Sequence, residues 1–175
     1  YDVLFKGNPF KFQRPFGSYV MENVLFKISF PAEFHSQTAV ECAMTLHQQL
    51  KKAGRTTDDI KRIRIRTHEA AIRIIDKKGP LNNPADRDHC IQYMAAVAMI
   101  KGNLTAADYE DAVARDKRID ALRAKMVCIE NKQYSKDYHD PAKRSIANQL
   151  QVFFKDGSKT AKVAVEYPIG HRRRR

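Results

Sequence analysis

The segment Ile60-Lys61-Arg62-Ile63-Arg64-Ile65-Arg66-Thr67 alternates basic and apolar residues from Arg62 to Arg66, the period of a β-strand with one dry and one wet face. Ile63 and Ile65 point to a core, and Arg62, Arg64 and Arg66 point away from it. Arg73-Ile74-Ile75-Asp76 is expected to extend this strand after an interruption at His68–Ala71. Downstream, the apolar-alternating runs Leu150–Phe154 and Val163–Tyr167 flank Asp156-Gly157, a hairpin signal because Gly supplies the positive φ of a tight turn. Upstream, Val24, Phe26 and Ile28 alternate within Val20–Phe30, and Pro31 ends that run. Strands therefore stand at the beginning, middle and end of the chain.

Helical spacing fills the gaps. Thr38-Ala39-Val40-Glu41 has the form of a capping box, Val40, Ala43, Met44, His47 and Leu50 form one stripe, and Gly54 stops it. Asn83-Pro84-Ala85-Asp86 reads as N-cap, proline at the first helical position and an acid in the first turn. Ile91, Met94, Ala95 and Ala98 continue that helix to Gly102. A third helix is expected from Thr105 to about Met126, with Tyr109, Ala112, Ile119, Leu122 and Met126 inward and an Asp111–Arg115 pair outside. Lys132–Asp140 is polar and reads as a loop. The fold class is α+β: a small sheet of three to five largely antiparallel strands with two or three helices on one face.

Composition narrows the function. The 175 residues suit one compact domain, and 43% hydrophobic with 30% charged residues is ordinary for a globular protein. The net charge is +12; without the terminal Arg172–Arg175 run it is still about +8, so an anionic partner is expected. No apolar run approaches the roughly 20 residues that span a bilayer. Cys42, Cys90 and Cys128 are odd in number and far apart, which points to a reducing cytoplasm rather than a disulfide framework. No Cys-x-x-Cys is present, so neither a zinc ribbon nor an iron–sulfur cluster has a local signature, and no metal is expected. Residues 1–18 carry five aromatics among prolines and glycines, an irregular arm that docks on something.

Two helix starts could carry chemistry. The first places Lys27, Glu33, His35, Ser36 and Gln37 on a strand-to-helix loop. Free backbone N–H groups there attract a carboxylate or phosphate, His35 exchanges protons near neutral pH, and Lys27 neutralises an anion. The alternative is that His35 only caps the helix and Lys27 is solvated. The second start holds Asn83, Arg87 and His89, with capping plus an ion pair as its alternative. His68-Glu69 lacks a second spaced histidine for a metal, and His47 sits on the packing stripe. The terminal arginines fit either a solvated tail or nucleic-acid contact. Against the latter, Arg62, Arg64 and Arg66 lack interleaved aromatics for base stacking.

A resemblance goes further. Lys27-Ile28-Ser29-Phe30-Pro31-Ala32-Glu33-Phe34-His35-Ser36-Gln37-Thr38-Ala39-Val40 resembles the MmgE/PrpD family, and so do Thr67–Tyr93, Leu104–Asp111 and Val165–His171. The family includes dehydration of 2-methylcitrate, decarboxylation of cis-aconitate and epimerisation of iminodisuccinate. The resemblance implies a larger all-helical domain followed by a smaller α+β lid, of which this chain matches the C-terminal part. Residues 1–18 would link to the missing helical domain, 19–170 form the lid-type domain, and 171–175 are a basic truncated end. The closest pattern implies a hydro-lyase removing water from 2-methylcitrate to give 2-methyl-cis-aconitate in propionate breakdown. It further implies no cofactor, a tricarboxylate substrate, a homodimer, and no role for membrane or nucleic acid. Many members have a histidine where this chain has Gln37, and the decarboxylase-type pattern has one near Glu33. His35 is then the lid-side acid, base or carboxylate holder, and Lys27 matches a carboxylate-binding lysine. Glu33, Ser36, Gln37, Asn83, Arg87, His89 and His171 are expected around the substrate. Decarboxylation or epimerisation of a related polycarboxylate, or a basic nucleic-acid-binding module, are the competing functions.

Overall fold

A computed structural model describes residues 2–9, 11 and 29–174. Residues 20–28 of the strand expected over Val20–Phe30, half of the aromatic arm and Lys27 lie outside the described residues; Ser29 and Phe30, at the end of that run, form a bend. The elements are α1 (Gln37–Lys52), β1 (Ile60–Thr67), α2 (Glu69–Ile75), α3 (Pro84–Asp88), α4 (Ile91–Lys101), α5 (Asp111–Ala114), α6 (Lys117–Arg123), β2 (Met126–Glu130), α7 (Lys132–His139), β3 (Asn148–Phe154) and β4 (Val163–Val165).

The four strands form one sheet in the order β2-β1-β3-β4. β1 pairs parallel with β2 and antiparallel with β3, and β3 pairs antiparallel with β4, so two of three pairings are antiparallel, as the α+β reading expected. Register puts Ile63 beside Met126 and Val152, and Ile65 beside Cys128 and Leu150, one apolar face. α1 packs against β3 and β4, α4 against α1, and α6 against α4. α4 is apolar all round because it is enclosed: every residue from Ile91 to Met99 is buried.

The arginine face holds a correction. Arg62 and Arg64 lie over the Phe153 ring at 4.9 and 5.1 Å. The row does have an aromatic partner, supplied by the next strand, and the guanidinium groups cover it. Within the terminal run, Arg174 forks onto the Glu41 carboxylate at 2.8 and 2.6 Å, so this arginine is tied to α1.

Four element assignments change. Arg73–Asp76 does not extend β1, because His68 caps α2 by accepting from the Ala71 N–H; short apolar runs suit either structure. The helix expected over Thr105–Met126 breaks into a 3-10 turn, α5 and α6, and Met126 opens β2. Ala112 is exposed, and Asp111 pairs with Arg87 at 2.7 Å rather than with Arg115. The helix starting at Pro84 stops at His89, and α4 begins after Cys90. Lys132–His139 is a helix, started by Asn131, whose side chain accepts from the Gln133 and Tyr134 N–H groups. At the start of α1, Thr38 is inside the helix and its hydroxyl donates to the Ile146 carbonyl at 2.7 Å, so it is not the cap.

Gly102 ends α4 at φ 78°. A Cβ there would meet the His47 ring at 2.8 Å, and that ring is held by the Met99 carbonyl at 2.9 Å. Gly102→Ala should therefore lose about 2 kcal/mol or more by urea unfolding, from left-handed strain plus overlap. Gly54, at φ 62° with open space around it, supplies the comparison, since Gly54→Ala carries only the conformational cost of about 1 kcal/mol. Equal losses at the two positions would remove the steric part of this account.

Candidate active site

The parallel strands β1 and β2 end side by side, with Thr67 opposite Glu130. The chain leaves β1 into His68 and leaves β2 into Asn131 and α7, which carries Tyr138. Just ahead of α1 runs a loop with a 3-10 turn at Phe34–Ser36. Three segments far apart in sequence thus place His35, His68 and Tyr138 together at one end of the sheet.

His35 is the centre of this group and is only 7% exposed. Its Nδ1 lies 2.7 Å from Glu33 Oε1, and its Nε2 lies 3.0 Å from the Tyr138 hydroxyl. A carboxylate only accepts, so Nδ1–H donates to Glu33 and the Tyr138 O–H donates to Nε2. Glu33 also accepts from the His35 backbone N–H at 2.8 Å. The ring is therefore oriented by its own turn. Tyr138 stacks on His68 with centroids 4.4 Å apart and planes 6° apart, and the two histidine rings are 5.3 Å apart.

His68 is fully buried. Burial, helped by His35 and His139, pushes its pKa down to about 3, so the ring is neutral at physiological pH. Its Nδ1 accepts from Ala71, which leaves the proton on Nε2, where it has no hydrogen-bond partner among the described residues. Burial, then Glu33 and Glu69, raises the Tyr138 hydroxyl above the usual phenol range, keeping it protonated.

The residues behind this group hold it in place. Asn148 donates to the His35 carbonyl and to the Thr38 hydroxyl, each at 2.8 Å. Ser36 donates to the Glu33 carbonyl at 2.7 Å. Gln37 donates to the Phe30 and Ala32 carbonyls at 2.8 and 2.7 Å and accepts from the Ser29 and Phe30 N–H groups. Both Ser36 and Gln37 are fully buried, so in this geometry they scaffold the loop.

The second helix start forms its own group. Asn83 caps α3 by accepting from Asp86 N–H at 2.9 Å, and Asp86 also pairs with Lys77. His89 is exposed, with Nδ1 on the Ala85 carbonyl at 3.2 Å. Arg87 is buried, donating to the Tyr109 carbonyl at 2.6 Å and pairing with Asp111; it lines a cleft of about 700 Å³ with Lys77, Lys78 and Arg123. His171 is buried, stacked on Tyr167 at 4.7 Å, and accepts from the Arg173 N–H.

Glu33 and His35 were legible as neighbours on one loop; Tyr138 and His68 were not. The signal for Tyr138 was its i,i+4 spacing from Tyr134, two half-buried aromatics on an otherwise polar helix.

Residues 30–175 match the MmgE/PrpD C-terminal domain. The whole chain is 71% identical to 2-methylcitrate dehydratase of Salmonella typhimurium (strain LT2), covering 36% of that protein. It is 67% identical to the 2-methylcitrate dehydratase of Cupriavidus necator, again over 36% of its length. Against the mitochondrial 2-methylcitrate dehydratase of Yarrowia lipolytica it is 66% identical, covering 34%. The chain thus spans about a third of the length of these relatives, and it belongs to the MmgE/PrpD family, whose C-terminal domain it carries.

Proposed function

We propose that the protein containing this domain removes water from 2-methylcitrate to give 2-methyl-cis-aconitate. The observation that carries this reading is the 71% identity to a 2-methylcitrate dehydratase along the entire chain. The geometry agrees with it. Eliminating water takes a base for the proton beside a carboxylate and an acid for the departing hydroxyl, and a histidine fixed between a carboxylate and a phenol is suited to such transfer. The net charge of +12 suits a substrate with three carboxylates.

Since the relatives are about three times longer than this chain, the remaining substrate contacts belong to the rest of the protein. In this reading that part is an all-helical domain joined through residues 1–18, and residues 19–170 form the lid that closes on it, with Lys27 holding a carboxylate. Asn83 and His89 serve helix capping, and Arg87 serves the α3–α5 junction. A homodimer acting in propionate breakdown completes the proposal. The three free cysteines suit a reducing compartment such as the cytoplasm, and among the described residues no helix is long and apolar enough to cross a membrane.

The test is product analysis on the longer protein. Incubation with 2-methylcitrate should yield an unsaturated tricarboxylate and water. Release of carbon dioxide from cis-aconitate, or inversion of iminodisuccinate, without alkene formation from 2-methylcitrate would replace this reading with one of the other family activities.

A further inference from the structure

His35 has no free nitrogen. Nδ1 is taken by Glu33 at 2.7 Å and Nε2 by the Tyr138 hydroxyl at 3.0 Å, and the residue is almost wholly buried. A proton leaving or reaching Nε2 in this arrangement passes through the Tyr138 oxygen. The phenol ring cannot easily turn away, because it lies flat on His68, and Tyr138 itself is only partly buried. Of the three rings, His35 and His68 are buried and Tyr138 alone is partly open to an incoming molecule.

We infer that Tyr138 is the catalytic acid of the dehydration, delivering the proton that His35 supplies to the departing hydroxyl. The inference rests on the proposed dehydration and adds the identity of the group that touches the leaving oxygen. With His35 carrying protons on both nitrogens, Nε2–H donates to the Tyr138 oxygen and the Tyr138 O–H turns to the substrate hydroxyl. A base from the remainder of the protein takes the proton from the carbon beside the carboxylate. The C–H electron pair becomes the new π bond, and the C–O bond breaks with its pair moving onto oxygen. That oxygen takes the Tyr138 proton and leaves as water, while the Tyr138 oxygen takes the Nε2 proton. His35 ends neutral, with Nδ1–H still on Glu33. Nothing in this sequence requires an oxidant or reductant.

Neutral His68 serves the step by position. Its flat contact with the phenol sets the direction of the Tyr138 hydroxyl, and being uncharged it does not pull the phenol toward phenolate.

The test uses Tyr138→Phe in the longer enzyme, a change that keeps the ring and its stack on His68 and removes only the hydroxyl. Turnover of 2-methylcitrate should fall about 100-fold. An analogue with chloride in place of the hydroxyl needs no proton on its leaving group, so the same variant should process it within about threefold of wild type. His35→Ala should show the same split, impaired on 2-methylcitrate and close to wild type on the chloride analogue. A variant within threefold of wild type on 2-methylcitrate, or one equally impaired with the chloride analogue, would overturn the acid role; the second result would make Tyr138 a positioning residue. If wild-type enzyme forms no alkene from 2-methylcitrate, the dehydration reading fails and the inference with it, an outcome distinct from an active wild type with an unaffected variant.

Discussion

His35→Ala in the longer enzyme is expected to lower kcat/KM for 2-methylcitrate by roughly 10² to 10⁴, the range for removing a positioned acid–base group. The substitution removes both the proton carrier and the ring that bridges the Glu33 carboxylate and the Tyr138 hydroxyl. His47→Ala is the control: that ring is half-buried, bonded to the Met99 carbonyl, and should cost stability with little change in rate. Assays must be run below the melting transition of both variants. A His35→Ala enzyme keeping more than about a third of wild-type kcat/KM would return His35 to a capping role.

Acid should destabilise this chain through His68. In the unfolded chain the group titrates near 6.5, whereas burial holds the folded ring neutral down to about pH 3. Above pH 6.5 neither state carries the proton and the group has no effect. Between those two values the unfolded state binds a proton that the folded state refuses, so stability falls as pH falls, by up to roughly 1.4 kcal/mol per pH unit. His68→Asn keeps an acceptor at the start of α2, since Asn is a good N-cap, and cannot titrate. Urea unfolding at pH 7 and 4.5 should therefore show wild type losing roughly 2–3 kcal/mol more than the variant across that interval. Identical losses would mean that His68 is protonated in the folded protein.

What could be seen in the sequence follows the range of the forces involved. β1 was legible because its alternation is set by one sheet with one wet face, and the hairpin because Asp156-Gly157 encodes its own turn. The Asn83 cap was legible because capping spans three residues. β2 was hidden because Met126 continues the 3–4 spacing of Ile119 and Leu122, so a five-residue strand looked like the end of a helix. α7 was hidden because its stability comes from the Asn131 cap and from docking two tyrosines, while its mean composition is polar. The same holds for the site. Glu33 reaches His35 within one turn, but Tyr138 lies 103 residues further on, and only the parallel pairing of β1 with β2 brings it near. Such a meeting depends on strand order, which local pattern does not carry.

Gln37 gives the loop before α1 a property that bears on turnover. Its amide satisfies two carbonyls and two N–H groups of Ser29, Phe30 and Ala32, a segment with no sheet neighbour among the described residues. The backbone that presents Glu33 and His35 is thereby ordered when the protein folds, not when substrate arrives. Fixing a residue's backbone costs roughly 1–2 kcal/mol of conformational entropy, so a loop of this length left free would tax every binding event. With the clamp in place, the entropy of ordering the acid–base group is already spent, and binding energy is left for the reacting centre.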